Sequence, residues 1–390
     1  MNFDLILAVV FYAAIFIFYL THKEKFTKQG LIILYKTKLG IFLMSKLSRK
    51  YPKLLNFLAY ISIFIGFIGM IFILYTLIQG SVKLILSYLQ IIPEAQPVLA
   101  PVLPGVSVQG LPVLGFWHWI IAIFIVAVVH EFAHGVYSSL YKVNVKSSGF
   151  AFLGPILAAF VEPDEKKVAK IEVKKQLAIL SAGPFVNILL GILVILFFSF
   201  IFLPLQSNLY TLNGITLVQV EKNSPAELSG LTQGAIIYEI NNIKINSQQQ
   251  LIKTIQESKE NDILKLNTDK GIFYVKPEII DNVPKVGINI KENVILKDNV
   301  PKFLSPLLQW FNLLFFWLWV VNIGVGLFNL LPLGPIDGGR MLLSALRGIT
   351  AKKRAFKIFK FVSALSLFLI FVNLLPWIVK LFKWIFGLFS

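Results

Sequence analysis

Two histidines four residues apart, with a glutamate beside the first, form the pattern in this sequence best suited to chemistry. They are His130, Glu131 and His134, and they directly follow an apolar run at 116–129. On a helix, both imidazoles project from one face and can hold one metal ion, and the glutamate can take a proton from a water that the metal activates. In the alternative, the histidines are hydrogen-bonded core residues and the glutamate is a surface charge. Because such groups are costly at membrane depth unless they are used, the apolar flank favours a metal site.

The composition predicts a multi-pass membrane protein. The chain has 390 residues, of which 56% are hydrophobic and 35 are phenylalanine. A spanning helix needs about 20 mostly apolar residues. Six segments qualify, and they are roughly 3–20, 55–79, 116–136, 177–204, 305–331 and 359–379. Cysteine is absent and there are only four histidines, so any metal must rest on histidine and carboxylate.

Positive charge alternates along the chain in the manner of the positive-inside rule. Nine basic residues lie in 21–54, seven in 137–175 and seven in 340–360, whereas 79–115 holds only Lys83. This pattern predicts a cell-membrane protein with its N-terminus outside, a retained first span, His130 near the cytoplasmic side and residues 205–302 on the outer face. The net charge of +17 therefore indicates anionic lipid as the partner rather than nucleic acid.

Several apolar segments are neither spans nor ordinary loops. Residues 92–115 are rich in proline and glycine, and 148–163 are apolar and short. We expect both to be irregular re-entrant elements, because such backbone is tolerated at membrane depth only when it packs on protein or lines a cavity. Residues 31–45 and the tail after Pro376 have an amphipathic character and are expected to lie along the membrane interface.

A third metal ligand is offered by Asp337. It is the only acidic residue after Asp298, and it follows the apolar Asn329–Ile336 stretch, which contains two prolines. Two imidazoles and one carboxylate leave a fourth zinc position open, as a catalytic site requires. Alternatively, Asp337 is the N-cap of a helix that begins at Gly338.

The HEFAH motif and the later Asn329-Leu330-Leu331-Pro332-Leu333-Gly334-Pro335-Ile336-Asp337-Gly338 together resemble the site-2 protease family of intramembrane metalloproteases. That family carries HExxH on one span and NxxPxxPxDG on a later one. Residues 181–187, SAGPFVN, also look like the sequence of the family's intervening span, and the resemblance covers roughly 110–340. It implies Zn²⁺ on His130, His134 and Asp337.

Residues 207–293 become polar and show strand-like alternation, which predicts a small β-rich module. The sequence Asn223–Leu231 (NSPAELSGL) and Gly234–Ile237 (GAII) resembles a PDZ domain of the bacterial protease type, although Ala235 replaces the usual aspartate. An unrelated small β domain is the alternative.

We therefore predict a multi-pass α-helical membrane protein of about six transmembrane helices, with a PDZ-like domain between the fourth and fifth. The expected parts are N-terminal spans, interfacial segment and re-entrant loop (1–115), the first half of the catalytic core (116–204), the PDZ-like domain (205–302), the second half of the core (303–347) and a C-terminal span with an amphipathic tail (348–390).

The predicted function is zinc-dependent cleavage of transmembrane segments in other membrane proteins, with single-span proteins as the expected substrates. Glu131 would serve as the base, and Asn329 and Asn187 would contact the substrate or the oxyanion. Segment 148–163 would supply a strand edge that holds an unwound substrate, and the PDZ-like domain would bind a substrate terminus or an exposed strand. Two alternatives remain: a catalytically idle metal-binding scaffold, which would not need Glu131, and an ion transporter, which would usually show repeated halves.

Overall fold

The computed structural model describes residues 3–30, 32–153, 156–259, 261–280 and 282–387. The chain forms two compact units. The membrane unit comprises Met1–Phe197 with Phe311–Ser390, and the inserted unit comprises Phe198–Trp310.

The first part of the chain contains six helices and four strands among the described residues. The helices are α1 (Phe3–Thr21), α2 (Ile41–Lys50), α3 (Pro52–Tyr88), α4 (Phe116–Leu140), α5 (Glu165–Val168) and α6 (Val173–Phe197), and the strands are β1 (Phe26–Gln29), β2 (Ile32–Thr37), β3 (Val145–Leu153) and β4 (Ile156–Pro163).

A π-helical turn at Phe198–Phe202 follows, and then short elements alternate. The helices are α7 (Leu203–Ser207), α8 (Pro225–Leu228) and α9 (Gln248–Gln256), and the strands are β5 (Tyr210–Val220), β6 (Ile236–Ile240), β7 (Ile243–Lys244), β8 (Leu264–Thr268), β9 (Gly271–Val275), β10 (Glu278–Ile280), β11 (Val283–Lys285) and β12 (Ile288–Leu296). Three helices complete the chain, α10 (Leu304–Asn329), α11 (Asp337–Ile349) and α12 (Lys352–Gly387).

Six helices in the described part of the chain are long and apolar enough to cross a membrane: α1, α3, α4, α10, α12 and the continuous run Val173–Ser207 that begins with α6. The predicted fold class is therefore confirmed: a multi-pass helical membrane protein with a β-rich domain between the fourth and fifth spans. Helix α12 continues through Pro376 to Gly387, so the predicted amphipathic tail is helical and continuous with the last span. Proline is tolerated inside spanning helices, where neighbouring groups satisfy the backbone carbonyl that it leaves free.

Residues 92–115 are irregular, as predicted, and they are held by hydrogen bonds from two helices. Trp119 Nε1 donates to the Val102 carbonyl at 2.9 Å, and Trp377 Nε1 donates to the Leu99 carbonyl at 2.9 Å. The Val98 amide donates to Asn373 Oδ1 at 3.2 Å. This segment thus packs on protein, which is the condition under which irregular backbone is tolerated near lipid.

The expectation that 148–163 is irregular was wrong. These residues form the antiparallel hairpin of β3 and β4, within a four-stranded sheet of order β1-β2-β3-β4. Strand β4 packs along α4, and the ring of Phe150 stacks on Phe124 of α4. Residues 149–161 are apolar at every position, so the polar alternation of a half-buried hairpin is missing although the backbone is regular. The turn residues Gly154 and Pro155 lie outside the described residues.

The described residues of the segment 31–45, which is predicted to lie along the membrane interface, form β2, inside the sheet, and the start of α2. Their position relative to a membrane stays a prediction. Lys36 Nζ lies 2.9 Å from Glu162 Oε2, which also accepts from Ser147 Oγ at 2.6 Å. These bonds stabilise the ionised carboxylate and hold the pKa of Glu162 below its ordinary value. The basic residue therefore ties β2 to β4.

Helix α6 lies at the centre of the membrane unit, packed against α3, α4 and α11. Small residues line these contacts. Ser62 of α3 and Ser181 of α6 are both buried, and their hydroxyl oxygens lie 2.9 Å apart. Small side chains let helix backbones approach closely, and their hydroxyls bond across the interface.

The inserted unit has its own hydrophobic core. Its main sheet has the order β12-β5-β6-β8-β9, with β7 paired to β6, and β10 and β11 form a separate hairpin. The buried residues of this core come from the sheet, from α9 and from the connecting segments; they include Ile215, Leu217, Ile237, Leu251, Leu266 and Val275. The strand order makes β12 an edge strand, and α9 contacts both β11 and β12.

We expect residues 205–302, expressed alone, to fold and unfold cooperatively, because this segment carries the whole core just described. In that fragment, Ile237→Ala should lower the free energy of unfolding by about 2–5 kcal/mol, since a fully buried side chain is replaced by a cavity. The control is Ile263→Ala, whose side chain is 62% exposed and should change stability by about 0.5 kcal/mol or less. Urea titration monitored by circular dichroism measures both, and a non-cooperative transition would contradict the predicted domain boundaries.

Candidate metal centre

The structure brings His130, His134 and Asp337 together. Helix α4 presents both imidazoles on one face, and α11 begins beside them with Asp337. His130 Nε2 lies 3.0 Å from Asp337 Oδ2, His134 Nε2 lies 3.2 Å from the same oxygen, and the two Nε2 atoms are 3.1 Å apart. All three residues are at most 9% exposed. Three donor atoms therefore converge on one buried point, although His130 and Asp337 are 207 positions apart in the sequence.

Asp337 does not act as a helix N-cap. Ile336 occupies that position, and Asp337 is the first residue of α11, with its carboxylate directed at the imidazoles. The two glycines that follow are needed for this placement. A side chain at Gly338 or Gly339 would overlap the carbonyl oxygens of Leu330 and Leu333, so the chain could not fold back so tightly. The Asp-Gly-Gly sequence thus brings the carboxylate close to α4.

The proton on His134 is assigned by its surroundings. His134 Nδ1 lies 2.7 Å from the backbone carbonyl of Ile179 on α6. A carbonyl only accepts hydrogen bonds, so Nδ1 carries the proton and Nε2 presents a lone pair to the cluster. This is the arrangement found in metal-binding histidines, whose second nitrogen donates to a fixed acceptor.

The side-chain amide of Asn187 contacts the His130 ring, and its orientation corresponds to the tautomer of that ring. The amide is fully buried and lies 3.0 Å from His130 Nδ1. As the amide is oriented in the structure, Asn187 Nδ2 donates to His130 Nδ1. Asn187 Oδ1 is then buried with no partner among the described residues. A half-turn of the amide puts this oxygen at Nδ1, where it accepts the ring proton and frees His130 Nε2 for a metal. The two orientations of Asn187 thus correspond to the two tautomers of His130.

The donor set fits a metal ion. The three donor atoms are separated by 3.0–3.2 Å, and two ligands of a tetrahedral ion with bonds of about 2.0 Å are separated by about 3.3 Å. Only a small expansion of the cluster is required. Without a cation, two imidazole lone pairs and a carboxylate would face one another in a buried space, which is unfavourable.

Glu131 lies on the neighbouring face of α4 and contacts the sheet. Its Oε2 accepts a hydrogen bond from the backbone amide of Val161 in β4 at 2.9 Å. The bond uses one carboxylate oxygen and leaves the second without a partner among the described contacts. The base predicted from the motif is therefore fixed in position beside the donor cluster.

Gly183 is a site residue that motif reasoning did not identify. A Cβ at this position of α6 would lie 2.5 Å from His134 Nε2 and 2.6 Å from His130 Nε2. Any side chain would therefore enter the space between the two ligand nitrogens. A glycine inside an apolar helix, one residue before Pro184, was the available signal, because such a residue often marks a close approach.

The two asparagines predicted to contact substrate have different surroundings. Asn187 contacts His130, as described above. Asn329 is half-buried at the end of α10, and its Nδ2 donates to the Val325 carbonyl of the same helix at 3.0 Å. Their roles toward a substrate stay predictions.

More than half of the sequence matches a known family. The model of "Peptidase family M50" matches residues 118–373, a range that includes every donor of the cluster. The chain belongs to peptidase family M50. The resemblance to the site-2 protease family, which the two motifs indicated, is thereby confirmed, and the chain is a multi-pass membrane protein of a metalloprotease family.

Three relatives illustrate the similarity of this chain to other proteins. An uncharacterized protein of Methanocaldococcus jannaschii is 34% identical over 319 residues, which cover 80% of this chain and 77% of that protein. The probable protease eep of Enterococcus faecalis is 25% identical, covering 50% of this chain and 58% of its own length. The zinc metalloprotease RasP of Shouchella clausii is 20% identical, with coverages of 50% and 56%. The chain thus spans little more than half of the two relatives named as proteases.

Two solved structures similar to part of this chain are PDZ domains. The PDZ domain of an SdrC-like protein from Listeria monocytogenes is 29% identical to the part of this chain that it matches. The match covers 20% of this chain and 90% of the solved domain, with a TM-score of 0.19. The corresponding domain from Listeria innocua is 26% identical, with coverages of 20% and 96% and a TM-score of 0.19.

We expect Gly183→Ala to abolish metal binding while the membrane unit stays folded, because the added methyl group would occupy the space between the ligand nitrogens. The matched control is Gly324→Ala in α10, where a Cβ would meet nothing within 4 Å. Metal content of the detergent-purified proteins, measured by inductively coupled plasma mass spectrometry, checks both. A Gly183→Ala protein that keeps one metal per chain would contradict this account.

Proposed function

We propose that this M50 protein is a zinc-dependent intramembrane endopeptidase that cleaves transmembrane segments of other membrane proteins. The observation that carries the proposal is the buried cluster of two imidazole nitrogens and one carboxylate oxygen, 3.0–3.2 Å apart, with a carboxylate base on the adjacent helix position. Family membership supports the reaction class.

The donor set favours Zn²⁺ as the cofactor. Two neutral imidazoles and one carboxylate form a common three-ligand catalytic zinc site, with a fourth position left for water or substrate. His130, His134 and Asp337 would hold the ion. When bound, zinc supplies Lewis acidity, which polarises the scissile carbonyl and makes water a better nucleophile near neutral pH.

The protein's own residues would then move the protons. Glu131 would accept a proton from the attacking water and later deliver it to the leaving amine. Ile179 and Asn187 would keep the two imidazoles oriented throughout, through the contacts at their Nδ1 atoms. Asn329 is the remaining candidate for contact with the substrate backbone or the oxyanion.

The substrate must present an extended backbone to this site. A helical segment hides its peptide bonds, and pairing with an exposed strand edge is one way to hold it unwound. Strand β4 is at the edge of its sheet and contacts Glu131. A single-span protein is the simplest substrate class, since its one helix can unwind without breaking contacts to other spans.

Charge alternation supports an orientation in the cell membrane. With the basic segments on the cytoplasmic side, the metal centre would lie near that side and residues 205–302 on the outer face. The lysine- and arginine-rich segments would then contact anionic lipid headgroups.

A catalytically idle metal-binding scaffold is the alternative. It would explain the donor cluster, but it gives no reason for a carboxylate to be fixed beside the metal donors by a backbone amide. For this reason the protease is preferred.

The Glu131→Gln variant tests the proposal. We expect it to keep one zinc per chain and to lose cleavage of single-span reporter proteins by about 10²–10⁴-fold, because the base is removed while the ligands stay. Glu94→Gln, the same chemical change at an exposed position of the 92–115 segment, should cleave normally. Each variant would be co-expressed with the single-span reporter proteins, and cleavage of the reporters would then be measured on gels. Undiminished cleavage by Glu131→Gln contradicts the mechanism, and a zinc-loaded wild type that cleaves nothing favours the scaffold.

The inserted unit would bind a peptide in a cleft of about 550 Å³ between α9 and the edge strand β12. Ile252 of α9 and Ile288 and Ile290 of β12 line it, so an extended peptide with an apolar end would fit, as a substrate terminus or an exposed strand.

We expect Ile252→Lys to weaken binding of fluorescent decapeptides that end in valine or leucine by about tenfold, since a charge replaces apolar contact area. Ile243→Lys, at an exposed position of β7 that does not line the cleft, is the control. Fluorescence anisotropy with the full-length protein in detergent measures both. Equal affinities for the two variants would mean that the peptide binds elsewhere.

A further inference from the structure

A cavity of about 520 Å³ lies in the membrane unit, apart from the metal centre. Its walls come from α3, from the irregular segment 92–115 and from α10. Among the described residues, its lining includes neither Glu131 nor any member of the donor cluster. Sites for small organic ligands usually have volumes of about 300–1,000 Å³. The cavity is therefore large enough to hold a ligand of its own.

One face of α10 forms a long wall of this cavity. Four lining residues follow one another at intervals of four, three and four positions, and they are Trp317, Val321, Gly324 and Phe328. At this spacing they lie along one stripe of the helix. With a rise of 1.5 Å per residue, the stripe is about 17 Å long. This is close to half of the hydrocarbon core of a bilayer, which is about 30 Å thick. The wall thus has the length of one lipid chain in one leaflet.

Gly324 leaves space along the stripe that protein packing does not use. A Cβ at this position would meet no atom of the described residues within 4 Å. At Gly326 of the same helix, in contrast, a Cβ would lie 2.9 Å from the Ile188 side chain, so close helix packing explains that glycine. A ligand that lies along the stripe would explain Gly324.

The cavity opens sideways toward lipid. Phe72 of α3 and Phe328 of α10 are 52% and 39% exposed, whereas Leu114, Trp317 and Val321 are at most 4% exposed. Helices α3 and α10 are both long and apolar enough to span a membrane, so exposed rings on them face lipid chains. A chain of the surrounding bilayer can therefore enter without crossing water.

A single unpaired donor marks the buried wall. Trp317 Nε1 is buried and has no hydrogen-bond partner among the described residues. Thr76 is the other lining residue with a polar side chain, and its hydroxyl donates to the Ile73 carbonyl at 2.9 Å. A buried water typically makes about three hydrogen bonds, so one indole N–H holds it poorly. Because an indole N–H only donates, it suits an apolar ligand that carries an acceptor oxygen.

We propose that this cavity binds one hydrocarbon chain of a membrane glycerolipid, and that the oxygen joining this chain to glycerol accepts a hydrogen bond from Trp317 Nε1. The chain lies along the α10 stripe, passes over Gly324 and ends near Phe328. Lipid is the occupant because the cavity opens to the bilayer, its walls are apolar and its length matches half a bilayer. The bound chain also packs on the segment 92–115 and so helps to hold this irregular backbone against the helices. This site is independent of the proposed peptidase activity.

Lipid titration followed by native mass spectrometry tests the proposal. The probe is palmitoyl-oleoyl phosphatidylglycerol, added to the delipidated full-length protein in a polyoxyethylene detergent. We expect the wild type to bind its first lipid at least about tenfold more tightly than later ones, which attach only to the outer helix surface. Gly324→Phe places a ring in the path of the chain and should weaken binding of the first lipid about tenfold, because apolar contact is lost.

The matched control for this variant is Gly387→Phe in α12. A Cβ at Gly387 also meets no atom of the described residues within 4 Å, and Gly387 does not line the cavity, so the first lipid should bind as in the wild type. Melting temperatures establish that each variant is folded. Should Gly324→Phe fail to fold, Ala100→Phe fills the same cavity from the segment 92–115.

Trp317→Phe tests the hydrogen bond to the lipid oxygen. The variant keeps an aromatic ring and removes the N–H, and it should weaken binding of the first lipid about fivefold, as expected for one hydrogen bond. Trp384→Phe is the same change at an exposed position of α12 and should leave lipid binding unchanged. An unchanged affinity in Trp317→Phe overturns the assignment of the oxygen.

Two further outcomes overturn the lipid site itself. One is a wild type whose first lipid binds no more tightly than later ones, and the other is a folded cavity-filling variant that keeps the wild-type affinity. A crosslinker distinguishes a lipid from a protein segment. With p-benzoylphenylalanine in place of Leu103, which lines the cavity, irradiation of membranes containing a single-span reporter should add the mass of a lipid to the protein. An adduct with the reporter would contradict the proposal.

Discussion

The membrane unit depends on one constraint: three polar donor atoms must lie about 3 Å apart inside an apolar protein. His130, His134 and Asp337 are nearly buried, and taking such groups out of water costs several kcal/mol for each ionised one unless a partner compensates. The compensation comes from the groups themselves and from the cation that they are suited to hold. Helices α4 and α11 must therefore approach closely, and the backbone around them must be shaped to allow it.

The close approach of α4 and α11 explains the types of the residues around the donor cluster. Gly183 keeps α6 from entering the space between the imidazole nitrogens, and Gly338 and Gly339 let the chain fold back against the end of α10. The Ile179 carbonyl and the Asn187 amide then satisfy the outer nitrogens of the two rings. Because a buried polar group without a partner is costly, these outer contacts are as necessary as the ligands. Helix α6 thus serves as the back wall of the site without contributing a ligand.

The amino-acid sequence is sufficient to predict the three members of the donor cluster because each is a side chain whose type reports its chemistry. Two histidines at helical spacing and one isolated aspartate after an apolar stretch can be joined into one donor set by residue type and position. The Ile179 carbonyl and the Val161 amide cannot be found in this way, since every residue carries a carbonyl and nearly every residue an amide. The β3–β4 hairpin was misjudged for a related reason. Residues 149–161 are apolar on both faces of the strands, and without polar alternation the sequence does not distinguish a regular strand from an irregular apolar segment.

The open edge of β4 connects the metal centre with the problem of cutting a helix. A spanning helix satisfies all its own backbone groups, and an unwound stretch in an apolar environment must find other partners. An edge strand offers such partners at a spacing that fits an extended peptide. If the same edge were freely exposed, it would be prone to pair with strands of other proteins and to aggregate. The Val161 amide of this strand is bonded to Glu131, so β4 passes directly beside the carboxylate that we propose as the base.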